Sequence, residues 1–444
     1  MSAPQRAAAF LVAFLTVVAL AVVALSGTDG LIGRAPDGTP TATSGDSASP
    51  TPTATVAPTE SAAATGPDED EILATLAEIE EQVIEIRGLP AAGIGPPDLL
   101  TRDELADELQ ALFDADYPEE DRVRDNFVLR AFGLLGPDED IGELQLQLLS
   151  DQVLGFYDDR ERRMVVVTEA GLNAEAKLIY AHEYTHALQY AAFDVDSLET
   201  DAVGEDDRSL ARIALLEGDA TVTMLAWAFE HLSQQELIEI GTGQQLPDTT
   251  GIPSWMVNQL LFPYLAGQTW VMELSAANGA TPDPRKPDFS EVDAAYADPP
   301  TSTAQIIDVE KWYDRLEPVP VELPDLAEAL GSDWEEVDVS PVGQASIGIL
   351  LEHFGAATAD ANLAAEGWAG DRALVARGPD DAFALAWRLT WETDRDAEEF
   401  EAAYGNVIDQ LPFPALVTRI DERDVLVAHA ADADILRRTV DAAR

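Results

Sequence analysis

Hydrophobic positions recur at helical spacing over most of the chain from residue 69 onward. Ile72, Leu76, Ile79 and Val83 follow one another at three- and four-residue intervals, which predicts an amphipathic helix. A capping-box pattern that begins at Thr101 predicts the start of a second helix. The same periodicity predicts five further helices, at 123–135, 141–153, 173–193, 207–232 and 254–277.

The hydrophobic period changes to that of short strands in two parts of the chain. Residues 154–157 and 164–168 are predicted strands, joined by a charged turn at 158–163. Near the C-terminus, strand-like runs mix with helical ones. The predicted strands are 373–376, 385–391, 415–420 and 425–428, and the predicted helices are about 395–408 and 431–442. The expected fold class is therefore α+β, mainly helical.

The first 67 residues differ from the rest of the chain. Residues 7–25 are uncharged and apolar and follow Arg6, which is typical of an export signal. We expect 1–26 to be a signal peptide or, because its length can span a bilayer, a membrane anchor. Residues 27–67 are rich in Thr, Pro, Ser and Ala and predict a disordered stalk. The protein is expected to be exported, and either anchored to the cell membrane or secreted.

The composition of the chain excludes some classes of partner and of metal site. The 83 acidic residues against 26 basic ones give a net charge of −57, which argues against nucleic acid as a partner. Membrane contact is expected through the N-terminal segment only. The chain has no cysteine, which excludes disulfides, thiolate catalysis and a Cys-ligated zinc site. Any metal ion must therefore be bound by histidines and carboxylates.

One helical segment carries the residues of a catalytic metal site. His182, Glu183 and His186 form an H-E-x-x-H motif, and a chance match is rare in a chain with 5 histidines. Residues four apart share a helix face, so His182 and His186 can bind one Zn²⁺ ion. Glu183 lies about 100° around the helix, where it can act on water as a general base.

A catalytic zinc ion usually takes a third protein ligand. Gln189 and Ala192 occupy the positions where a metzincin has Gly and His, so that class is excluded. Glu205 lies near the spacing of the thermolysin-like ligand, but in a polar, loop-like cluster, and is a weak candidate.

Glu217 is the stronger candidate for the third ligand. It projects from the apolar face of the helix predicted at 207–232, where an unpaired carboxylate would be costly and a metal ion would neutralise it. The alternative is that Glu217 pairs with Arg208 or Arg212. The neighbouring Gly218 weakens the helix, which makes sense if a second helix approaches closely there.

These motifs resemble those of the gluzincin metallopeptidases and, more narrowly, a widespread group of uncharacterised bacterial metallopeptidase-like proteins. The resemblance spans about residues 145–310. It rests on GFYDD at 155–159, AHEYTHALQ at 181–189, LLEGDAT at 215–221, PYLAGQTWV at 263–271 and PPTSTAQI at 299–306. It implies a zincin-like core in which a small sheet packs over the motif helix and the second half is helical. We expect this domain to span residues 68–310. A C-terminal α/β region, 311–444, would pack on this core.

Motif and resemblance together lead us to expect a zinc-dependent metallopeptidase that hydrolyses protein or peptide substrates outside the cytoplasm. Four residues are candidates to orient a ligand or to stabilise the transition state: Asp219, Tyr157, His231 and Tyr264. Two alternatives stay open, a zinc hydrolase of a non-peptide amide and a non-catalytic zinc-binding surface scaffold. The role of residues 70–150, as propeptide, lid or part of the core, is also open.

Overall fold

The computed structural model of the chain describes residues 69–149, 154–168, 171–243, 249–276 and 283–444. Helices make up 58% and strands 14% of these residues, so the predicted class, α+β and mainly helical, is confirmed. The signal or anchor predicted at 1–26 and the stalk predicted at 27–67 lie outside the described residues. Within the described ranges, no helix combines the length and the apolar composition that crossing a bilayer requires.

The chain before the central motif forms four helices and one strand. Their bounds are α1 (Glu69–Arg87), β1 (Asp98–Leu100), α2 (Arg102–Asp116), α3 (Glu119–Phe132) and α4 (Ile141–Leu149). The predicted capping box is present, because the Thr101 side chain accepts from the Glu104 N–H and Glu104 accepts from the Thr101 N–H. Each of these helices buries an apolar face in one of two hydrophobic clusters, so residues 70–149 form part of the core.

The small sheet lies between these two clusters. It contains β1, β2 (Gly155–Asp158) and β3 (Arg163–Val167) in the order β1-β3-β2, with β1 parallel and β2 antiparallel to β3. Because successive side chains of a strand point to opposite faces, Phe156 and Val165 enter one cluster and Tyr157 and Met164 enter the other. Both strands predicted here are confirmed.

Three long helices and one shorter helix follow the small sheet. They are α5 (Ala174–Ala192), α6 (Asp206–His231), α7 (Gln234–Gly243) and α8 (Ser254–Ser275). Helix α5 packs against β2 and β3 and also against α1 and α6. Helices α6 and α8 cross in close contact at Gly218 and Gly267, where an added Cβ on Gly218 would collide with the Gly267 backbone. The close approach predicted from Gly218 is thus confirmed.

Four short helices lead from α8 to the C-terminal region. They are α9 (Ser290–Ala297), α10 (Thr303–Ile307), α11 (Val309–Tyr313) and α12 (Leu326–Leu330). The first three contact α8, and α10 also contacts α6. Helix α12 instead belongs to the C-terminal region, because Leu326 and Leu330 pack in the same cluster as the last helix of the chain.

The C-terminal region is built on a five-stranded antiparallel sheet. Its elements are β4 (Glu335–Ser340), α13 (Gly343–His353), α14 (Thr358–Ala365), β5 (Trp368–Arg377), β6 (Phe383–Trp391), α15 (Asp394–Ile408), β7 (Ala415–Arg419), β8 (Asp424–Ala430) and α16 (Ala433–Ala443). The strand order is β4-β5-β6-β8-β7. Helices α13, α14 and α15 cover one face of the sheet and α12 and α16 cover the other. The four strand runs predicted here correspond to β5 to β8.

The sheet of the C-terminal region packs directly on the N-terminal helices. The ring centroids of Phe132 and Trp387 lie 5.9 Å apart in an edge-to-face contact, and both residues belong to one continuous hydrophobic cluster. His429 of β8 donates from Nδ1 to the carbonyl oxygen of Ala131 at 2.8 Å. These contacts join parts of the chain that are far apart in sequence.

Candidate metal centre

Helices α5 and α6 bring two histidines and one carboxylate together. Asn173 caps the start of α5 by accepting from the Ala176 N–H, and the helix then runs unbroken through the H-E-x-x-H motif. The Nε2 atoms of His182 and His186 lie 3.1 Å apart. Glu217 Oε2, from α6, lies 3.2 Å from His182 Nε2 and 3.3 Å from His186 Nε2.

The geometry of these three atoms fits a tetrahedral metal ion. Ligand atoms about 2.0 Å from a tetrahedral zinc ion lie about 3.3 Å from one another, so the nearly equilateral triangle corresponds to one face of such a site. Two imidazoles and one carboxylate are also a donor set that zinc accepts. In the part of the chain that the structure describes, no other group of three or more potential ligands is arranged this way.

The electrostatics of the site favour a bound cation. Burial alone would raise the pKa of Glu217, but the charges and hydrogen bonds of His186 and His182 lower it to about 2. Burial opposes a charge on His186, but the carboxylates of Glu217 and Glu183 raise its pKa to about 9. The buried carboxylate therefore attracts positive charge, which either a proton or a divalent metal ion can supply.

Glu183 lies beside this triangle without belonging to it. Its Oε2 accepts a hydrogen bond from the backbone N–H of Tyr157, on β2, at 3.0 Å. The carboxylate is buried, and this burial raises its pKa above the ordinary value. A carboxylate with a raised pKa suits a group that first accepts and then returns a proton.

A cleft of about 400 Å³ opens beside the triangle of His182, His186 and Glu217. Glu183, His186 and Glu217 line it, whereas His182 is fully buried. The cleft walls come from β2, the turn after it, the end of α5, the segment 195–201 and α6. They include the side chains of Phe156, Tyr157, Asp159, Tyr190, Asp196 and Leu216.

The two tyrosine candidates occupy opposite sides of the site. Tyr157 lines the cleft, and its ring lies 5.6 Å from that of Tyr190. Tyr264 lies on α8, buried, with its ring 6.2 Å from that of His182, and it is not among the residues that line the cleft. Burial and then the negative charge of Glu217 raise the pKa of its hydroxyl. Tyr264 therefore lies beside His182, outside the cleft.

The other two candidates, Asp219 and His231, differ in burial. Asp219 is fully buried; it is hydrogen-bonded to neither histidine but accepts a hydrogen bond from Gln189 Nε2 at 3.1 Å. His231 ends α6 and is exposed. At 1.5 Å per residue it lies about 20 Å along the helix from Glu217, so the structure removes it as a candidate donor.

Two alternatives were open for Glu217: that it pairs with an arginine, and that Glu205 is the third ligand instead. Arg208 and Arg212 both pair with Glu199, so neither is the partner that the alternative interpretation of Glu217 requires. Glu205 immediately precedes α6, and its Oε2 lies 3.9 Å from Arg208 Nη1, outside the triangle.

Sequence reasoning missed the partner of His186. The Nδ1–H of His186 donates to Gln189 Oε1 at 2.8 Å. The available signal was spacing, because Gln189 lies three residues after His186 and so on the same side of the helix. Gln189 is fully buried, which a polar amide tolerates only when its hydrogen bonds are made.

Comparisons with known proteins match only the C-terminal region. Residues 334–440 match the family model of a domain of unknown function (DUF8575), a range that runs from just before β4 into α16. No curated protein and no solved structure is similar to this chain.

Proposed function

We propose that the protein is a zinc-dependent metallopeptidase of the gluzincin type that acts outside the cytoplasm. The observation that carries the proposal is the triangle of His182, His186 and Glu217, with the buried Glu183 next to it at the cleft. A scaffold that only binds metal has no need for a carboxylate at the position of Glu183. The N-terminal segment 1–26 would tether or export the chain, and 27–67 would act as a stalk.

The roles of the residues follow from their positions. His182, His186 and Glu217 would hold the ion, and when bound, zinc polarises a carbonyl group and lowers the pKa of a water molecule. Glu183 would take a proton from the attacking water and return it to the leaving amine. The Tyr157 N–H fixes Glu183 Oε2, so that Oε1 is left for this proton transfer. Tyr157, at the cleft, is the better placed of the two tyrosines to contact a substrate.

The test is to measure metal content and peptide hydrolysis for the full-length wild type, Glu183→Gln and Glu217→Ala. We expect one zinc ion per chain in the wild type and in Glu183→Gln, and little or none in Glu217→Ala. Hydrolysis of a peptide library should fall by about 10²-fold or more in Glu183→Gln, because the general base is lost. Glu205→Gln, which changes a carboxylate outside the site, serves as the matched control and should resemble the wild type.

Two results would contradict the proposal. A folded wild type that binds no zinc after metal addition would exclude a zinc enzyme. A wild type that binds zinc but cleaves no peptide, while it hydrolyses a non-peptide amide in a Glu183-dependent manner, would assign the same chemistry to another substrate class.

A further inference from the structure

A buried chain of hydrogen bonds runs from His186 away from the cleft. Gln189 Nε2 contacts two acceptors, the carbonyl oxygen of Leu216 at 2.9 Å and Asp219 Oδ2 at 3.1 Å. The amide nitrogen must face these acceptors, so Oε1 must face His186. His186 Nδ1 therefore carries a proton, so Nε2, which is directed at the triangle, is the nitrogen available to a metal ion.

The next link, Asp219, accepts three hydrogen bonds besides the one from Gln189. Arg87 donates from Nε to Asp219 Oδ1 at 2.7 Å and from Nη2 to Oδ2 at 3.1 Å, and the Tyr296 hydroxyl donates to Oδ2 at 2.8 Å. Both side chains of the Arg87–Asp219 ion pair are completely buried. Such a bidentate pair fixes the direction of the carboxylate as well as neutralising it.

Arg87 connects this chain to the N-terminal helix. It is the last residue of α1, it also donates to Asp293 at 2.6 Å, and its guanidinium lies 4.4 Å from the ring centroid of Phe289. A shift of α1 would move the guanidinium from Asp219 and leave a buried carboxylate without its counter-ion, a costly state.

We infer that Gln189, Asp219 and Arg87 are positioning residues that fix the tautomer and the orientation of His186. The metal affinity of the centre then depends on the docking of α1, which lies far upstream in sequence. This inference rests on the proposed function, because it assumes that His186 binds the metal ion. The inference gives α1 a role in the site, although α1 lies far from the H-E-x-x-H motif in the sequence.

The first test is Gln189→Met in the full-length protein. Asp219 keeps Arg87 and Tyr296 in this variant, so we expect it to fold. Zinc affinity, measured by competition with a chromophoric chelator, should fall by about 10- to 100-fold. The visible absorption spectrum of the Co²⁺-substituted protein should also change, because His186 is free to rotate or to change tautomer. This spectrum reports ligand geometry, which a purely structural role of Gln189 would not alter.

Gln305→Met is the matched control. Gln305 is also a buried amide in a helix, with bonds to the Thr301 N–H and the Leu316 carbonyl oxygen, but it does not contact the triangle. Its removal should leave zinc affinity and the Co²⁺ spectrum unchanged.

The second test is the double variant Arg87→Met/Asp219→Asn, which removes both charges together and so leaves no buried carboxylate unpaired. Zinc affinity should again fall by about 10-fold or more. Adding Gln189→Met to this variant should lower zinc affinity less than it does in the wild type. The reason is that the effects of substitutions within one hydrogen-bond network are not additive.

Three outcomes would overturn the inference. One is a folded Gln189→Met protein with wild-type affinity and Co²⁺ spectrum, and another is wild-type binding by the double variant if Gln189→Met does not fold. The third is a wild type that binds no zinc, which contradicts the proposed function as well and is thus distinguishable from the first two.

Discussion

Glu217 and Asp371 are both buried carboxylates, and each is stabilised by different partners. Glu217 lies between two imidazoles, which leaves a place for a cation. Asp371 instead accepts four hydrogen bonds, from the indole N–H groups of Trp368 and Trp387 and from the backbone N–H groups of Val342 and Gly343. Burial of a carboxylate alone therefore does not identify a metal ligand; the kind of partner does.

His429 illustrates a buried histidine that is unsuited to metal binding. Its Nδ1 donates to the Ala131 carbonyl oxygen and its Nε2 lies 3.1 Å from the Tyr404 hydroxyl, so both nitrogens have protein partners. Burial lowers its pKa from 6.5 to about 4. The imidazole is therefore neutral at physiological pH and joins β8 to α3.

This lowered pKa predicts a loss of stability in mild acid. As the pH falls from 6.5 towards 4, the unfolded chain takes up a proton that folded His429 does not, so the free energy of unfolding decreases. The contribution is about 3 kcal/mol when fully lost. In His429→Asn, which can keep a donor near Ala131, the decrease should be smaller by about this amount. Denaturant unfolding between pH 4.5 and 7 measures it.

His231→Asn is the control for this measurement. His231 is exposed, so its replacement tests whether the loss of a histidine as such changes the dependence of unfolding on pH. If the free energy of unfolding fell equally with decreasing pH in His429→Asn and in the wild type, the assigned role of His429 would be contradicted.

At the scale of elements, the crossing of α6 and α8 determines where Glu217 lies. Glu217 immediately precedes Gly218, and Gly218 faces Gly267 across the crossing. A Cβ on Gly267 would collide with the carbonyl oxygen of Ala214, a backbone atom that cannot move aside without shifting the helix. The two glycines thus allow the separation at which Glu217 reaches the histidines of α5.

We predict that Gly267→Ala separates the two helices and weakens the metal centre. The free energy of unfolding should fall by about 1–3 kcal/mol, as for other overpacked sites. Zinc affinity should fall with it, because Glu217 moves away from the imidazoles. Chemical denaturation and chelator competition on the same protein test both effects.

Gly405→Ala provides the matched control. Gly405 also lies inside a helix, α15, but nothing lies within 4 Å of an added Cβ. Alanine should stabilise this helix by up to about 1 kcal/mol and leave zinc affinity unchanged. Equal zinc affinity of Gly267→Ala and Gly405→Ala would show that the helix crossing does not determine the position of Glu217.

At the scale of the whole molecule, a continuous hydrophobic core opposes a large charge repulsion. One cluster contains residues of α2, α3, α8 and the C-terminal sheet, so these parts are stabilised together. Against it acts the net charge of −57, because a chain with 83 acidic residues and 26 basic ones cannot pair most of its carboxylates.

Screening of this repulsion should stabilise the protein. We expect the thermal unfolding temperature to rise when sodium chloride is increased from 0.02 M to about 0.3 M, over which the Debye length falls from roughly 20 Å to about 6 Å. The rise should be steepest at low salt, because the Debye length shortens most there. A general effect of salt on water structure would instead continue to grow at higher concentrations. Calorimetry measures it, and an unfolding temperature that stays constant or falls would contradict the expectation.

The sequence by itself determined the features that depend on spacing within one element. It predicted α5, α6 and α8 closely, because their apolar positions recur with the helical period. It predicted that His182 and His186 share a face, because that geometry is local. It selected Glu217 from a carboxylate on an apolar stripe and Gly218 from the cost of glycine in a helix.

Only the tertiary structure decided which distant residues complete the site. The bond from the Tyr157 N–H to Glu183 and the chain from Gln189 through Asp219 to Arg87 join positions whose sequence separation carries no periodic signal. His231, by contrast, could have been excluded from the sequence, because it lies about 20 Å from Glu217 along the same predicted helix. Local spacing fixes which face of a helix a residue occupies, but the packing of helices against one another determines what that face meets.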